Sequence, residues 1–331
     1  MPKFYDDWIT SSISGNAMVW KLNLTPEEID SIDPHDIWKY SIDTVNALLP
    51  NLGTKPAVCF SGGIDSQVMV DCFIRAGVSF DVVIMRFPEY LNWHDIKTAV
   101  EFCDTRKLSY TFIDIDVIQF LSRDLIAFAD KYDVSSPQFA THFKMFEKLQ
   151  ELGYTSAVCG GNTLLNTADG WVYPTTKEQS DWRSFSERSN FYVMGDFLSY
   201  HWKFSLAFSC HQEQSNLIDN TKINLLSNVA NHDNLVSDRY EVKVSGFMSA
   251  GFNIIPQAAK FTGFEEVKEK IKDFDSGDGW AFEKRFRFPL RLKNPTPNVN
   301  KFELSNEQKI ALDRLYDKCV GSRQSSTRIT D

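Results

Sequence analysis

The segment Ser61-Gly62-Gly63-Ile64-Asp65-Ser66 directly follows the apolar run AVCF (57–60) and directly precedes a helix-like stretch over Gln67–Arg75. No other feature constrains the chain as strongly. Adjacent glycines let a backbone turn sharply and approach a ligand with no Cβ in the way. The N–H groups that open the next helix lack intrahelical acceptors, and with the helix dipole they attract an anion. Ser61 and Ser66 place hydroxyls within reach of the same oxygens. Asp65 repels a bare phosphate, but its carboxylate is well suited to Mg2+ that bridges phosphates. The bland alternative is a corner in which the glycines permit the turn and the serines cap the helix. The Gly-Lys-Ser/Thr ending of a Walker A loop is missing, which disfavours a kinase or motor that transfers a γ-phosphate.

Around this loop, short apolar runs alternate with amphipathic stretches of helical length. Strands are expected at 57–60, 80–85 (FDVVIM), 110–115 (YTFIDI) and 156–159 (SAVC), with helices at 94–107, 117–131 and 139–152. Strands separated by helices imply an α/β fold, a Rossmann-like doubly wound parallel sheet that binds ligands outside the carboxyl ends of its strands. Residues 162–195 are rich in Thr, Ser, Asn and Trp and are expected to form a long functional loop. A buried helix is expected within 195–211, and a terminal helix over Ser305–Cys319 with Ser305 as N-cap and Gln308 at N3. The tail GSRQSSTRITD is expected to be disordered. The organisation is an acidic lead segment (1–50), the sheet domain (51–210) and a mostly helical acceptor-binding or capping region (211–331).

The strand–S-G-G-I-D-S–helix arrangement resembles the PP-loop ATP pyrophosphatase superfamily, also called adenine nucleotide α-hydrolase-like, a HUP-type fold whose signature is S-G-G-x-D-S. The resemblance covers about residues 55–165 and is nearest to the asparagine and NAD synthetase type. It implies that ATP is bound with its β,γ-phosphates in residues 61–66: Ser61, Gly62, Gly63, Ile64, Asp65 and Ser66. Asp65 would hold Mg2+, and Asp65 and Ser66 would belong to the catalytic machinery. An acceptor oxygen would attack the α-phosphate, giving an adenylylated intermediate and pyrophosphate, and a nitrogen nucleophile would then displace AMP. Met85 and Arg86 would lie beside the adenine, with plain core packing the alternative for Met85. Gly160, Gly161 and Asn162 would approach the ribose and phosphates. The acidic residue usual in that turn is absent, and Asp169 is the nearest candidate for a second metal ligand. Lys260, in a lysine-and-turn segment, is the candidate for the late lysine on pyrophosphate, with a solvated surface lysine as its rival.

The absences separate relatives. Position two is Pro2, so the catalytic cysteine of glutamine-using asparagine synthetases is missing. Ammonia would arrive free or from a partner. Cys59, Cys72, Cys103, Cys159, Cys210 and Cys319 form no C-x-x-C pair, and reduced, buried thiols are expected. The paired cysteines of sulfur-transfer members, a zinc-binding cluster and the C-terminal cysteine motif of phosphoadenylyl-sulfate reductases are not matched. An ATP-dependent, AMP-forming ligase is therefore expected. The alternatives are a sulfur-metabolism or RNA-modifying PP-loop enzyme and a nucleotide-binding module without turnover. His94, His142, His201, His211 and His232 show no ligand spacing and read as structural. Asn92 is a candidate cap for the helix that begins at Trp93-His94. The aromatics Trp171, Tyr173, Trp182, Phe185, Phe191 and Tyr192 either stack on a ligand or pack the 162–195 segment down.

Charge bears on partners. The chain of 331 residues carries 35 Lys+Arg against 44 Asp+Glu, a net charge of -9. Residues 1–50 hold eight acids and three lysines, so the rest of the chain is nearly balanced. RNA is a less favoured partner than ATP and an anionic or carboxylate acceptor, because broad nucleic-acid binding needs phosphate neutralisation. A basic stretch at 283–293, with Arg285 and Arg287 alternating with Phe286 and Phe288, is either a protected edge strand or an anion site. No apolar run is long enough to cross a bilayer and the first residues lack a signal-peptide pattern, so a cytoplasmic protein is expected, assembling as a homo-oligomer.

Overall fold

The computed structural model describes residues 8–14, 17–134, 137–161, 165–167, 170–172, 178–211, 243–256, 267, 270 and 299–326. In chain order the elements begin with β1 (Ile9–Ser14), β2 (Ala17–Leu22), α1 (Pro26–Asp30) and α2 (Ile37–Leu52). β3 (Pro56–Cys59), α3 (Ile64–Ala76), β4 (Asp81–Arg86), α4 (Trp93–Arg106) and β5 (Tyr110–Asp114) follow. Next come α5 (Val117–Gln119), a π-helical turn over Phe120–Asp124, α6 (Leu125–Tyr132), α7 (Pro137–Glu151) and β6 (Ser156–Val158). The chain continues with β7 (Leu165–Thr167), β8 (Gly170–Val172), α8 (Glu178–Ser189), β9 (Tyr192–Met194) and α9 (Trp202–His211). A helix α10 (243–249), β10 (Val299–Glu303) and α11 (Asn306–Ser326) complete it.

The central sheet has five strands in the order β5-β4-β3-β6-β9. All its pairings are parallel. From β3 the chain moves outward through β4 to β5, then crosses back to β6 and β9, so the order reverses between β3 and β6. The carboxyl ends of those two strands, at Cys59 and Val158, flank the switch-point crevice of a doubly wound sheet. Side chains alternate between two cores. Val58, Val82, Ile84, Val158 and Met194 enter the core beneath α2, α3 and α9. Ala57, Val83, Ile113, Ala157 and Val193 enter the core formed with α6, α7 and α8. Such short, doubly buried strands read as continuous apolar runs, and for that reason four of the five were legible.

The expected long loop at 162–195 is instead partly built. It contains the β7–β8 hairpin, α8 and the fifth strand β9. α8 is polar along most of its length and hides its purpose: Trp182 and Phe185, three apart on one helix face, carry the contact. Phe185 is fully buried, with ring centroids 4.7 Å from both Phe143 and Tyr132 and 5.5 Å from Phe146. Phe191 and Tyr192 are buried too, so these aromatics pack the segment onto the sheet. Trp171 and Tyr173 lie outside the described side chains.

The acidic lead segment is also structured. β1 pairs antiparallel with β2, and β10 adds to β2 in parallel. Trp8 is buried and its indole N–H donates to the Ser199 carbonyl at 3.2 Å. At the far end of the chain, Ser305 and Gln308 form a reciprocal cap, with the Gln308 N–H on the Ser305 hydroxyl and the Ser305 N–H on the Gln308 Oε1. The terminal helix does not stop at Cys319. It runs to Ser326, so residues 321–326 of the tail expected to be disordered are helical, while 327–331 lie outside the described residues. Among the described residues, no helix is long and apolar enough to cross a membrane.

Candidate active site

The loop leaves β3 at Phe60, whose N–H donates to the Val83 carbonyl at 2.8 Å. Gly62 sits at φ +79°, where side chains are disfavoured. A Cβ there would lie 2.6 Å from the Asp95 carbonyl and 2.8 Å from the Ala99 nitrogen, both α4 backbone. The first glycine is thus demanded by conformation and by the close approach of α4. The Ser61 and Ser66 hydroxyls meet at 3.2 Å, and Ser66 donates to the Gly63 carbonyl at 2.7 Å. Ile64 opens α3 with its side chain buried in the core, so it anchors the helix and offers the crevice only its backbone.

Asp65 stands in the first turn of α3, partly exposed, with both carboxylate oxygens 2.9 Å from the Lys243 ammonium. Lys243 starts α10 and its side chain is only 5% exposed. The helix is held by Phe247, which stacks on Phe208 at 4.2 Å. Gln67 is buried below the loop, donating to the Gly62 carbonyl at 2.8 Å and the Ile255 carbonyl at 2.9 Å. The Ile255 N–H returns a bond to Gln67 Oε1 at 2.6 Å, tying the loop's underside to the segment after α10. At the end of β6, Gly160 packs directly on the loop: a Cβ there would lie 2.9 Å from the Asp65 backbone carbon and 3.0 Å from the Ser66 nitrogen. Gly161 abuts Asp196, a buried carboxylate just beyond β9.

The structure therefore gathers Ser61, Gly62, Gly63, Ile64, Asp65, Ser66, Gly160 and Gly161 at the switch point. Met85 is half-buried at the end of β4 and packs against the second core. Arg86 turns toward the sheet edge, where its guanidinium forks onto Asp114 at 2.5 and 2.8 Å above the Phe112 ring. The Arg86 hydrogen bonds hold the Asp114 carboxyl below its usual range. Asn162, Asp169, Lys260 and the basic 283–293 stretch lie outside the described residues. Asn92 does not cap α4 with its side chain. Its amide accepts from the Phe87 N–H at 2.9 Å and donates to the Met85 carbonyl at 2.9 Å, bracing the turn after β4.

Lys243, Gln67 and Asp196 escaped sequence reasoning. Nothing local marks Lys243, which meets Asp65 across 178 positions. Asp196 had a signal: Gly195-Asp196 follows the apolar triplet Tyr192–Met194, as expected for a buried strand running into a site. Among the described residues, no group of three or more His, Cys, Asp or Glu gathers to hold a metal. The oxygen donors here, one carboxylate and two hydroxyls, fit a magnesium ion that takes most of its ligands from phosphate and water.

Fold and loop together define the class: a doubly wound, Rossmann-like α/β protein with an S-G-G-x-D-S loop at its switch point. No protein-family model matches the chain, and no curated protein does. Among solved structures, it is similar to the NMN synthetase of Francisella tularensis at 12% identity and TM-score 0.33, covering 88% of this chain and 97% of that one. It is similar to an NH3-dependent NAD synthetase of Campylobacter jejuni at 15% identity and TM-score 0.33, covering 83% and 100%. A U34-tRNA thiolase of Methanococcus maripaludis matches at 12% identity and TM-score 0.31, covering 77% and 80%.

Proposed function

We propose that this protein is a PP-loop ATP pyrophosphatase that adenylylates an acceptor oxygen, releases pyrophosphate, and lets a nitrogen nucleophile displace AMP. The reading is carried by one observation, the Ser61–Ser66 loop lying at the sheet's switch point with the Asp65 carboxylate beside it. The N–H groups opening α3 and the hydroxyls of Ser61 and Ser66 would bind the β,γ-phosphates. Gly160, whose missing side chain lets the end of β6 press directly on the Asp65–Ser66 backbone, would form the floor beside the nucleotide's phosphates. When bound, magnesium supplies charge neutralisation of the leaving pyrophosphate. Asp65 would orient it, and Lys243, released from Asp65, would turn its ammonium to a phosphate oxygen. Lys260 remains a second proposed cation for the pyrophosphate. The residues act mainly by electrostatic stabilisation, already oriented before charge develops. The acceptor is proposed to be a carboxylate or another anion, with ammonia arriving free or from a partner.

The test is incubation with ATP, Mg2+ and a panel of carboxylates and amines, following AMP and pyrophosphate. Formation of both supports the reading. Formation of ADP and phosphate would overturn it, and tight ATP binding without turnover across the panel would leave a binding module.

A further inference from the structure

Beside the switch point lies a pair of cysteines that the proposed chemistry does not use. β3 and β6 run parallel with Ala57 opposite Ala157 and Val58 opposite Val158. The next step along both strands sets Cys59 beside Cys159. Side chains alternate between faces along a strand. Val58 and Val158 enter one core, whereas Ala57, Ala157, Cys59 and Cys159 face the other. The two thiols therefore share a face of the sheet. Neighbouring strands lie about 4.8 Å apart, inside the Cα separation of roughly 4.4–6.8 Å that a disulfide spans. Cys59 is buried and Cys159 is half-buried at the crevice. Cys72, Cys103, Cys210 and Cys319 are all buried. Of the six cysteines Cys159 alone is not buried, so a dissolved oxidant meets it first.

We infer that Cys59 and Cys159 form a reversible dithiol–disulfide pair whose oxidation by a peroxide weakens nucleotide binding in the adjoining crevice. The pairing stands on strand register alone, while its effect on nucleotide rests on the function proposed above. Cys159, the more accessible, reacts first: its thiol gives up a proton, the sulfur bonds to one peroxide oxygen, the O–O bond breaks, and the hydroxide takes the proton to leave as water. Cys59 then loses its proton, and its sulfur attacks the Cys159 sulfenic sulfur. The S–S bond forms as the S–O bond breaks, and a second water leaves. Two thiols and one peroxide become one disulfide and two waters, and an external dithiol reverses the change. An S–S bond of about 2.05 Å is far shorter than any contact between unbonded sulfurs. Drawing Cys159 toward Cys59 moves the next residue, Gly160, which lies against the Asp65 and Ser66 backbone. The wall of the phosphate crevice moves with it, because close-packed contacts transmit such displacements.

The full chain is treated with hydrogen peroxide, its free thiols are alkylated, and its peptides are mapped by mass. In parallel, ATP affinity in Mg2+ is measured before oxidation, after it, and after dithiothreitol. The expected result is a Cys59–Cys159 link (a loss of about 2 Da) and affinity at least fivefold weaker, restored by dithiothreitol. Cys159→Ser and Cys59→Ala should keep reduced affinity and lose the response. Absence of the link, or equal oxidation of the four buried thiols, overturns the pair. A link with unchanged ATP affinity overturns the effect on the crevice. If reduced protein does not bind ATP, the nucleotide reading fails together with that effect, while the mapped link still establishes the pair.

Discussion

The two ends of the central sheet use similar residues for opposite purposes. At the amino end, where α2 hands over to β3 and β6 begins, Thr155 donates to the Leu52 carbonyl at 2.7 Å and accepts from the Lys55 N–H at 3.0 Å. Ser156 donates to the same carbonyl at 2.6 Å. Hydroxyls there satisfy the backbone of the turn. At the carboxyl end, Ser61 and Ser66 bond mainly to each other and to their own loop, beside a carboxylate held by a lysine brought from far along the chain. One end closes on itself, and the other keeps polar groups gathered around a crevice. The chemistry of a strand end follows from what faces it across the sheet more than from its residue types.

This contrast can be broken. Gly62→Val is the severest challenge, since it puts a side chain at positive φ against α4 backbone that cannot yield. We expect a loss of about 3–5 kcal/mol in urea unfolding, together with loss of ATP binding. An unchanged midpoint would mean that the loop is not held as described. Asp65→Asn keeps an acceptor for Lys243 while removing the charge. Mg2+-dependent pyrophosphate release should fall about 10²–10³-fold with a cooperative melt retained, and full activity would remove Asp65 from the mechanism.

A third measurement isolates the flank of the sheet from both ends. His142 on α7 is half-buried beside Trp182 and Phe139 with its Nδ1 shut from solvent, and that desolvation lowers its pKa to about 4. The unfolded chain takes up this proton near pH 6.5 and the folded one only near pH 4. Its contribution is therefore fully present above pH 6.5 and is lost as pH falls toward 4. The loss is on the order of 3 kcal/mol. His142→Leu should flatten that limb of the stability–pH curve, and an unaltered curve would refute the assignment. The smallest effect is expected at the amino end. Thr155→Val should cost about 1 kcal/mol in thermal unfolding and leave ATP affinity unchanged. A change in affinity would show that the two ends are coupled.

Much of this architecture was legible from local pattern. β3, β4, β5 and β6 announced themselves as apolar runs between helical periods, and the loop stood out through its glycines and Asp65. β9 did not, because three residues carry no period. α8 did not, because its apolar content is confined to Trp182 and Phe185 in a polar stretch. Arg86 directly follows the apolar run 80–85, but its guanidinium direction depends on Asp114 of the neighbouring strand.

By itself the sequence determined the alternation of strands and helices, the place of the S-G-G-I-D-S loop between a strand and a helix and the presence of glycine within it, since each depends on residues within a few positions of one another. Only the tertiary structure decided that Lys243 holds Asp65, that Cys59 lies beside Cys159, and that β10 from the far end of the chain completes the sheet begun by β1 and β2. Those contacts join residues widely separated along the chain. Local propensity carries no record of them, and they are fixed by how the two cores close around the central sheet.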